Sequence, residues 1–414
     1  MPDKPHQQRP PRFRPLWPET APPATVVSDF EPDRRYDCAV VGAGITGCSA
    51  ALHLAEAGAR VCIIDSQAPG EGTSGHANGQ VMAELTLSPD RIVQLYGHDR
   101  GDAVIRFTAR APDLVFELIR RHGITCDARR SGWIEGTPYA SGMRAMERRV
   151  ASWRERGEPV ELLGRDAIGE LSGSAAYAGG LLDRRAGTLD PLSYTRGLAA
   201  AAAGLGAVFH GDAEARELTP EGGGWRITTS HGVLRASSVI AATNAYTGRL
   251  LPHLHFPVVC LYGVQSATVP LDGLMHILPQ RQGFSDVRKR FFRLDEARRL
   301  IVGGPGALWQ PASGRSLSFR LAERALRKLF PEIRDVPFDY HWYARGAAAA
   351  DLLPHLYEPQ AGLFAALGFA GRGIAMGTAL GRALARRVQG ETVKNIGFPV
   401  TSARLPLGLS SIGR

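Results

Sequence analysis

One short segment limits the fold of this chain more than any other: YDCAVVGAGITGCSAALHLAEAGARVCIIDS, which begins at Tyr36. An apolar run is followed by Gly42-Ala43-Gly44-Ile45-Thr46-Gly47, an Ala/Leu-rich helical pattern, and a second apolar run. In that context a G-x-G-x-x-G motif indicates a βαβ unit that binds a dinucleotide. The first glycine permits a tight turn, the second lets the backbone approach a pyrophosphate, and the third lets the helix pack close to the strand.

An acidic residue lies at the position where a dinucleotide-binding βαβ unit requires one. Asp65 comes 23 residues after Gly42, at the end of the second apolar run, and Ser66 follows it. There a carboxylate can accept hydrogen bonds from an adenosine ribose, while phosphates lie at the helix N-terminus, where free N–H groups favour negative charge. A glycine turn beside an exposed aspartate is the simpler interpretation, but strand, motif, helix, strand and acid in this order favour a dinucleotide site.

The loop after the βαβ unit favours FAD over NAD. Its sequence GEGTSGHANGQV is rich in small hydroxyl and amide side chains, which can hold a second phosphate or an edge of the flavin. A solvated loop of turn-forming residues is the alternative. The residues predicted to bind the cofactor here are Gly72, Thr73, Ser74, His76, Asn78, Gly79 and Gln80.

Charge distribution, cysteine content and the length of apolar runs limit the classes of function that the chain can have. The formal net charge is +9, but the basic residues are spread along the chain, which argues against a nucleic-acid surface. The 5 cysteines show no CxxC pair and no His-Cys cluster, so we predict neither a metal site nor a disulfide framework. No run approaches the ~18 apolar residues of a membrane span, and the N-terminus lacks the apolar segment of a secretion signal. We therefore expect a soluble cytoplasmic protein.

The chain length predicts more than one core-forming unit, because 414 residues exceed what one hydrophobic core usually holds. Alternating strand and helix patterns predict an α/β fold with a Rossmann-type FAD-binding domain and a separate sheet-based domain. They follow a proline-rich arm without helix or sheet over 1–35.

Several segments, in the same order, resemble the D-amino acid oxidase superfamily of FAD-dependent oxidoreductases, in particular its branch with glycine oxidase and gamma-glutamylputrescine oxidoreductase. They are GAGITG, GTSGHANGQ, DPLSYTRGLA, VIAATNAYTGRLLP, RFFRLDEARRLIVGG, Trp342 with Asp351 and Pro354, and GFAGRGI. The resemblance implies an FAD-binding domain assembled from separated stretches and a second α+β substrate domain on a mostly antiparallel sheet that covers the flavin. The bounds predicted with it are an FAD-binding domain over 36–95, 145–250 and 340–395, a substrate domain over 96–144 and 251–339, and a tail over 396–414. It also implies that a C-terminal glycine turn stabilises the anionic reduced flavin. The cofactor contacts predicted with it are Val208, Asn244, Gly371, Arg372, Gly373 and Ile374.

The likeness breaks at the position that would bind a substrate carboxylate. Relatives that oxidise amino acids place an arginine about four residues after the tryptophan matching Trp342, and here that position is Gly346. Arg345 is one residue earlier, which turns a strand side chain to the opposite face. Whether the protein binds a substrate carboxylate is therefore undecided from the sequence, and an amine such as a polyamine derivative becomes a more favoured substrate. Arg293, Arg345 and Tyr262 are the predicted catalytic-pocket residues, with a structural salt bridge or a packed aromatic as the alternative.

His76 is the second departure. In dimethylglycine and sarcosine dehydrogenase relatives, a loop reading G-T-T-W-H carries a histidine bonded covalently to the flavin, and GTSGH has its histidine at the same offset. Non-covalent FAD is the main expectation, and a covalent link through His76 stays open.

The predicted function is oxidation of a C–N bond in a small amine or amino acid to an imine, with O2, a quinone or another acceptor taking the electrons. FAD supplies the redox chemistry, while the protein supplies orientation and a dry pocket. One alternative is a D-amino acid dehydrogenase-like enzyme that reduces a quinone. Another is a flavin-binding subunit without turnover, which Gly346 and the alanine run 347–350 favour. The sequence does not identify the substrate or the oligomeric state.

Overall fold

The computed structural model describes residues 13–24, 28–248, 250–251, 254, 258–288, 290–305 and 317–401. These residues form two large sheets, a two-stranded ribbon and a set of helices, which confirms the predicted α/β class. In chain order the strands are β1 Arg35–Val41, β2 Val61–Ile64, β3 Gln80–Val81, β4 Trp133–Thr137, β5 Val160–Leu163, β6 Gly179–Asp183, β7 Gly187–Thr188, β8 Val208–His210, β9 Ala215–Glu221, β10 Gly224–Thr229, β11 Val233–Ala241, β12 Val258–Pro270, β13 Gly283–Asp286, β14 Phe291–Leu294, β15 Arg299–Pro305, β16 Phe338–Ala349, β17 His355–Gln360, β18 Leu363–Leu367 and β19 Val400–Thr401.

The helices alternate with these strands along the chain. Their bounds are α1 Ile45–Glu56, α2 Pro89–Arg121, α3 Ala140–Glu155, α4 Arg165–Ser172, α5 Pro191–Gly204, α6 Leu317–Leu329, α7 Gly373–Val388 and α8 Val393–Ile396. Aspartate and serine side chains cap two of them: Asp190 accepts hydrogen bonds from the first turn of α5, and Ser88 does so for α2. Such caps satisfy backbone N–H groups that have no partner inside the helix.

The first sheet holds the βαβ unit. β1 pairs in parallel with β2 and β11, and β2 pairs in parallel with β8. Among the described residues the strand order is β19-β17-β18-β11-β1-β2-β8, and β10 also pairs with β11 while β9 pairs with β10. All four residues of β2 are buried, as expected of a parallel strand covered on both faces.

The second sheet is mostly antiparallel, as the sequence predicts for the substrate domain. Its order over the described strands is β16-β12-β15-β14-β13-β4-β6-β5. The long ladder between β12 and β16 brings Leu261 opposite Gly346, and Gly263 opposite Ala344. That ladder forms one wall of the cavity described below.

Close packing of α1 against α7 brings the two glycine turns together. A Cβ atom at Gly381 would lie 2.5 Å from the carbonyl oxygen of Thr46, and one at Gly377 would lie 2.9 Å from its hydroxyl oxygen. The Ser49 hydroxyl also donates to the Thr378 carbonyl, at 2.8 Å. Because glycines at this spacing let the two backbones approach, the N-termini of both helices reach the same cavity.

The structure differs from the predicted domain bounds in two strand groups. β16, placed by the sequence mostly in the FAD-binding domain, pairs with β12 in the second sheet. β5 and β6 also belong to that sheet, although the sequence assigns them to the FAD-binding domain. Short apolar strands carry no signal for which sheet they join, so their pairing depends on tertiary contacts.

The N-terminal arm also differs from its prediction, because part of it belongs to the core. Residues Trp17–Glu19 form a short 3₁₀ helix, and Leu16 and Trp17 are buried against Trp342 and Tyr340. The arm prediction rested on its prolines, one of which lies at the start of this helix, where proline is tolerated.

Candidate active site

A cavity of about 1030 Å3 runs from the βαβ unit to the second sheet. One end is lined by residues that follow the C-terminal ends of the parallel strands, where open α/β sheets bind ligands. The other end is lined by β12, β16, Phe291 and Gly304. The volume is at the upper limit of the ~300–1,000 Å3 usual for small-molecule sites, which suits an extended ligand together with a second small molecule.

The glycine motif forms a backbone cradle that accommodates a dinucleotide phosphate. Gly42 has a φ of +106°, which side chains of other residues rarely adopt. A Cβ atom at Gly44 would lie 2.8 Å from the Ser74 hydroxyl, and one at Gly47 would lie 1.8 Å from the Gly42 carbonyl oxygen. The N-cap residue Gly44 has no side chain to cap α1, and the Ile45 N–H donates to the Ser74 hydroxyl at 3.0 Å, so the N-terminus of α1 and the Ser74 side chain meet at the cavity wall. These features fit FAD.

Asp65 joins the cradle to the end of β2. One carboxylate oxygen accepts the Ala43 N–H at 2.6 Å, and the other accepts the Gln67 N–H at 3.0 Å. Burial raises the pKa of Asp65, and these backbone hydrogen bonds act against that rise. Asp65 and Ser66 also line the cavity. The side chain therefore both fixes the glycine turn and presents a hydrogen-bond acceptor beside it.

Hydrogen bonds to backbone carbonyl groups hold the loop over residues 72–80 on the side that faces away from the cavity. The His76 carbonyl accepts from the Gln265 side-chain amide at 2.6 Å and from the Trp342 indole at 3.1 Å. The Ala77 carbonyl accepts from the Trp17 indole at 2.9 Å. The buried arm and the second sheet thus fix a loop whose other face lines the cavity.

Arg293 completes this support and does not line the cavity. Its guanidinium donates to the Asn78 carbonyl at 2.6 Å and to the Leu189 carbonyl at 2.8 Å, and it lies over the Trp17 ring. Burial lowers the pKa of Arg293. Gly79 has no room for a side chain, because its Cβ atom would lie 2.1 Å from the Leu189 carbonyl oxygen and 2.6 Å from this guanidinium. The predicted pocket residue is therefore placed as a positioning residue behind the loop.

The C-terminal glycine turn meets the cavity through its backbone. Gly371, Gly373 and Ile374 line the cavity, whereas the Arg372 side chain turns away toward the Trp133 ring, 5.9 Å from its centroid. Burial lowers the pKa of Arg372, with the Glu84 carboxylate opposing that effect. The predicted stabilisation of the reduced flavin by this turn would therefore come from the N-terminus of α7 and not from the Arg372 guanidinium.

Tyr262 and Arg345 are paired across β12 and β16, but only Tyr262 lines the cavity. The Arg345 guanidinium stacks over the Tyr246 ring, 4.7 Å from its centroid, and approaches the Cys260 sulfur at 3.8 Å. Tyr246 lines the cavity and is half exposed. Arg345 thus contacts a wall residue and lies outside the wall.

Most of the predicted cofactor residues converge on the cavity. Those in its wall are Gly42, Gly44, Ile45, Thr46, Asp65, Ser66, Gly72, Thr73, Ser74, Asn78, Gln80, Asn244, Gly371, Gly373 and Ile374. Gly47, His76, Gly79, Val208 and Arg372 lie outside the wall. Gly47 and Gly79 instead permit close backbone packing, and Val208 pairs with Cys62 inside the sheet. His76 directs its Nδ1 to the Gly72 carbonyl, at 2.8 Å.

The cavity wall contains residues that our sequence analysis missed. They include Glu214, Ala215, Arg216, Tyr246, Thr247, Leu261, Gln265, Phe291 and Ala370. The position of two groups in the sequence could have predicted them. Residues 214–216 follow the end of β8, and residues 246–247 follow the end of β11, at the edge where parallel sheets bind ligands. Leu261, Gln265 and Phe291 carry no such signal, because they reach the cavity only through strand pairing.

Among the described residues, no helix is long and apolar enough to cross a membrane, and no cluster of three or more His, Cys, Asp or Glu side chains could hold a metal ion. The five cysteines form no disulfide.

Comparisons with known proteins agree with this geometry. Residues 37–387 match the family model "FAD dependent oxidoreductase". The chain is similar to gamma-glutamylputrescine oxidoreductase of Escherichia coli, with 29% identity over 86% of this chain and 84% of that protein. It is also similar to glycine oxidase of Geobacillus kaustophilus, with 27% identity over 86% of this chain and 93% of the relative.

The solved structures agree at the level of the fold. The crystal structure of glycine oxidase from Geobacillus kaustophilus aligns with a TM-score of 0.75 and 24% identity, and the alignment covers 87% of this chain and 96% of that one.

Proposed function

The chain belongs to the FAD dependent oxidoreductase family, and from that premise we propose that it oxidises a C–N bond of a small amine or amino acid to an imine. The observation that carries the proposal is one continuous cavity, in which a glycine cradle for a dinucleotide opens into a chamber lined by a sheet. Relatives named for amine and amino acid substrates support the same substrate range.

The protein residues hold and orient the reactants. FAD, when bound, would supply the two-electron oxidation, and this chemistry belongs to the cofactor. The cradle, the loop over 72–80 and the N-terminus of α7 would hold it. Leu261, Tyr262 and Phe291 line the chamber at its substrate end, where they would orient the reacting carbon.

The substrate nitrogen must be neutral before its carbon is oxidised. Among the described wall residues, the carboxylates are Asp65 and Glu214, both at the dinucleotide end, and none lies on the sheet wall. We therefore infer that the ammonium proton leaves to water as the substrate binds. The rate constant for flavin reduction should then rise with pH up to the pKa of the substrate ammonium.

Anaerobic mixing with amines and amino acids tests this function. Purified protein saturated with FAD is mixed with each compound without oxygen, and the visible flavin absorbance is followed. We expect at least one amine or amino acid to bleach the flavin at a saturable rate. A flavin that no compound in a broad panel reduces would contradict the proposal and support a flavin-binding subunit without turnover.

The electron acceptor is distinguished by reoxidising the bleached protein. An oxidase releases hydrogen peroxide when air is admitted, whereas a dehydrogenase recovers its yellow colour only with a dye or a quinone. We propose O2 or a quinone as the acceptor, and the two readouts separate these cases.

We propose that FAD is held without a covalent bond, because the His76 side chain lies outside the cavity wall. Acid precipitation should therefore leave the yellow colour in the supernatant, with wild type and His76→Ala behaving alike. Colour that stays in the wild-type pellet and moves to the supernatant in His76→Ala would show a covalent link.

A further inference from the structure

Residues 16–21, the arm segment, place a buried indole against a loop of the cavity wall. Trp17 is 1% exposed, and its indole N–H donates to the Ala77 carbonyl at 2.9 Å. Its ring meets the Trp342 ring edge to face, with centroids 6.0 Å apart, and lies 5.0 Å from the Arg293 guanidinium. Ala77 lines the cavity, whereas Trp17 does not. Trp17 therefore acts on the cavity through the backbone of the loop that contains Ala77.

Four successive carbonyl groups of this loop accept hydrogen bonds from residues distant in the sequence. One donor comes from the arm segment, three come from the second sheet, and one follows β7. A backbone whose carbonyl groups all have partners loses free energy when it leaves them, so these donors preset one conformation of the loop. The carbonyls, with their donors, are His76 (Gln265, Trp342), Ala77 (Trp17), Asn78 (Arg293) and Gly79 (Leu189).

The Trp17 ring also stabilises a buried cation. Arg293 is 1% exposed, and its guanidinium donates to the carbonyl groups of Asn78, Leu189 and Leu294. An aromatic face attracts a cation most strongly where water is excluded. Loss of the Trp17 ring would therefore weaken the hydrogen bond from Arg293 to Asn78 as well as the one to Ala77.

The residues after Trp17 attach the arm segment to both halves of the cavity. The Thr20 hydroxyl donates to Oδ2 of Asp190 at 2.5 Å, and Oδ1 of Asp190 caps α5, which packs against α1. The Tyr340 hydroxyl, on the second sheet, donates to the Glu19 carboxylate. FAD bound along the cavity would join the same two halves. Because the arm segment and FAD favour one arrangement of these halves, each should strengthen the binding of the other.

We propose that the arm segment is part of the cofactor site: Trp17 is a positioning residue that presets the loop over 72–80, and docking of the segment and FAD binding stabilise each other. The inference requires FAD binding but not the proposed substrate oxidation, which it goes beyond. It gives a function to a stretch that the sequence presents as an arm without structure.

Substitutions at Trp17 test the proposal on full-length apoprotein titrated with FAD. Trp17→Phe keeps an aromatic face but removes the N–H, so it should lower the affinity for FAD by about 10-fold. Trp17→Leu removes both contacts and should lower the affinity by at least ~50-fold. Denaturant unfolding of each apoprotein establishes that it is folded under the conditions of the titration.

Trp225→Phe is the matched control. Trp225 is 4% exposed on β10, its indole N–H donates to the Ala361 carbonyl at 3.2 Å, and it lies outside the cavity wall. This variant loses the same kind of hydrogen bond, so it should lose stability as Trp17→Phe does. Its affinity for FAD should stay within about 2-fold of wild type, because the substituted site shares no partner with the loop.

Hydrogen exchange of wild type with and without FAD measures the reciprocal effect. The backbone N–H groups of Glu19, Thr20 and Ala21 donate to carbonyl groups within the arm segment, so their exchange reports whether the segment is docked. FAD also slows exchange by stabilising the whole fold, and β10 supplies the reference for that general effect. We expect saturating FAD to slow exchange in the arm segment by at least ~10-fold more than in β10.

The outcomes separate this proposal from the oxidation of amines. Folded Trp17→Leu that binds FAD like wild type would overturn it, as would an equal loss of affinity in Trp225→Phe. Exchange that FAD slows equally in the arm segment and in β10 would also overturn it. If Trp17→Leu does not fold, Trp17→Phe and the exchange of wild type still decide. No substrate enters these measurements, so failure of every amine to reduce the flavin would remove the proposed function and leave this inference in place.

Discussion

Gly47→Ala should lower the affinity for FAD by at least ~100-fold, which corresponds to about 2.7 kcal/mol of binding free energy. The alanine Cβ atom would lie 1.8 Å from the Gly42 carbonyl oxygen and 3.0 Å from its carbonyl carbon, and both are backbone atoms that cannot rotate away. Relief of this clash must separate β1 from α1 or distort the turn, and either change displaces the amides that hold the diphosphate. Titration of apoprotein with FAD, followed by flavin fluorescence, measures the loss.

The matched control is Gly204→Ala at the end of α5, where a Cβ atom meets nothing within 4 Å. This variant should bind FAD like wild type and gain about 0.5–1 kcal/mol of stability, because alanine loses less backbone entropy than glycine on folding. Wild-type affinity in Gly47→Ala would contradict the assigned role of the turn.

Arg293→Met should destabilise the protein by about 2–6 kcal/mol, since the buried Leu189 carbonyl and the partly buried Asn78 carbonyl each lose a donor at a cost of about 1–3 kcal/mol. The carbonyls are those of Asn78 and Leu189, and the first belongs to the loop that lines the cavity. The variant should therefore also bind FAD more weakly. Denaturant unfolding with FAD present and absent separates the two effects.

Arg320→Met is the control, because Arg320 is an exposed arginine on α6. It should change the unfolding free energy by less than about 0.5 kcal/mol, as is usual for surface positions. If Arg293→Met unfolds at the same denaturant concentration as wild type, Arg293 does not support the loop. If it instead loses substrate binding alone, it belongs to the pocket as the sequence predicts.

Sequence analysis predicted the dinucleotide half because its signals are local. The turn at Gly42, the close packing at Gly47 and the position of Asp65 all follow from residues next to one another in the chain. The segment GFAGRGI also places a glycine turn before a helix, and the structure brings that turn to the same cavity. Such local requirements on the backbone conformation can be predicted from the sequence without knowledge of tertiary contacts.

The substrate half was less predictable because its contacts are not local. Arg293 resembles a pocket residue in the sequence, yet its direction is set by the loop near Asn78, which is 215 positions away. Trp17 lies in a proline-rich stretch and is buried only because it meets Trp342. Which face of β16 meets the cavity depends on the register with β12, which no single segment encodes.

The central claim is that the backbone amides at the start of α1 hold the diphosphate of FAD. Titration of apoprotein with FAD, FMN and riboflavin under the same conditions tests it most directly, because only FAD has both the diphosphate and the adenosine that the cradle and Asp65 would meet. We expect one FAD per chain and an affinity at least ~100-fold above those of FMN and riboflavin, because they lack the diphosphate that helix N-termini favour. Protein that stays colourless with excess FAD, or that binds riboflavin as tightly as FAD, would contradict the claim.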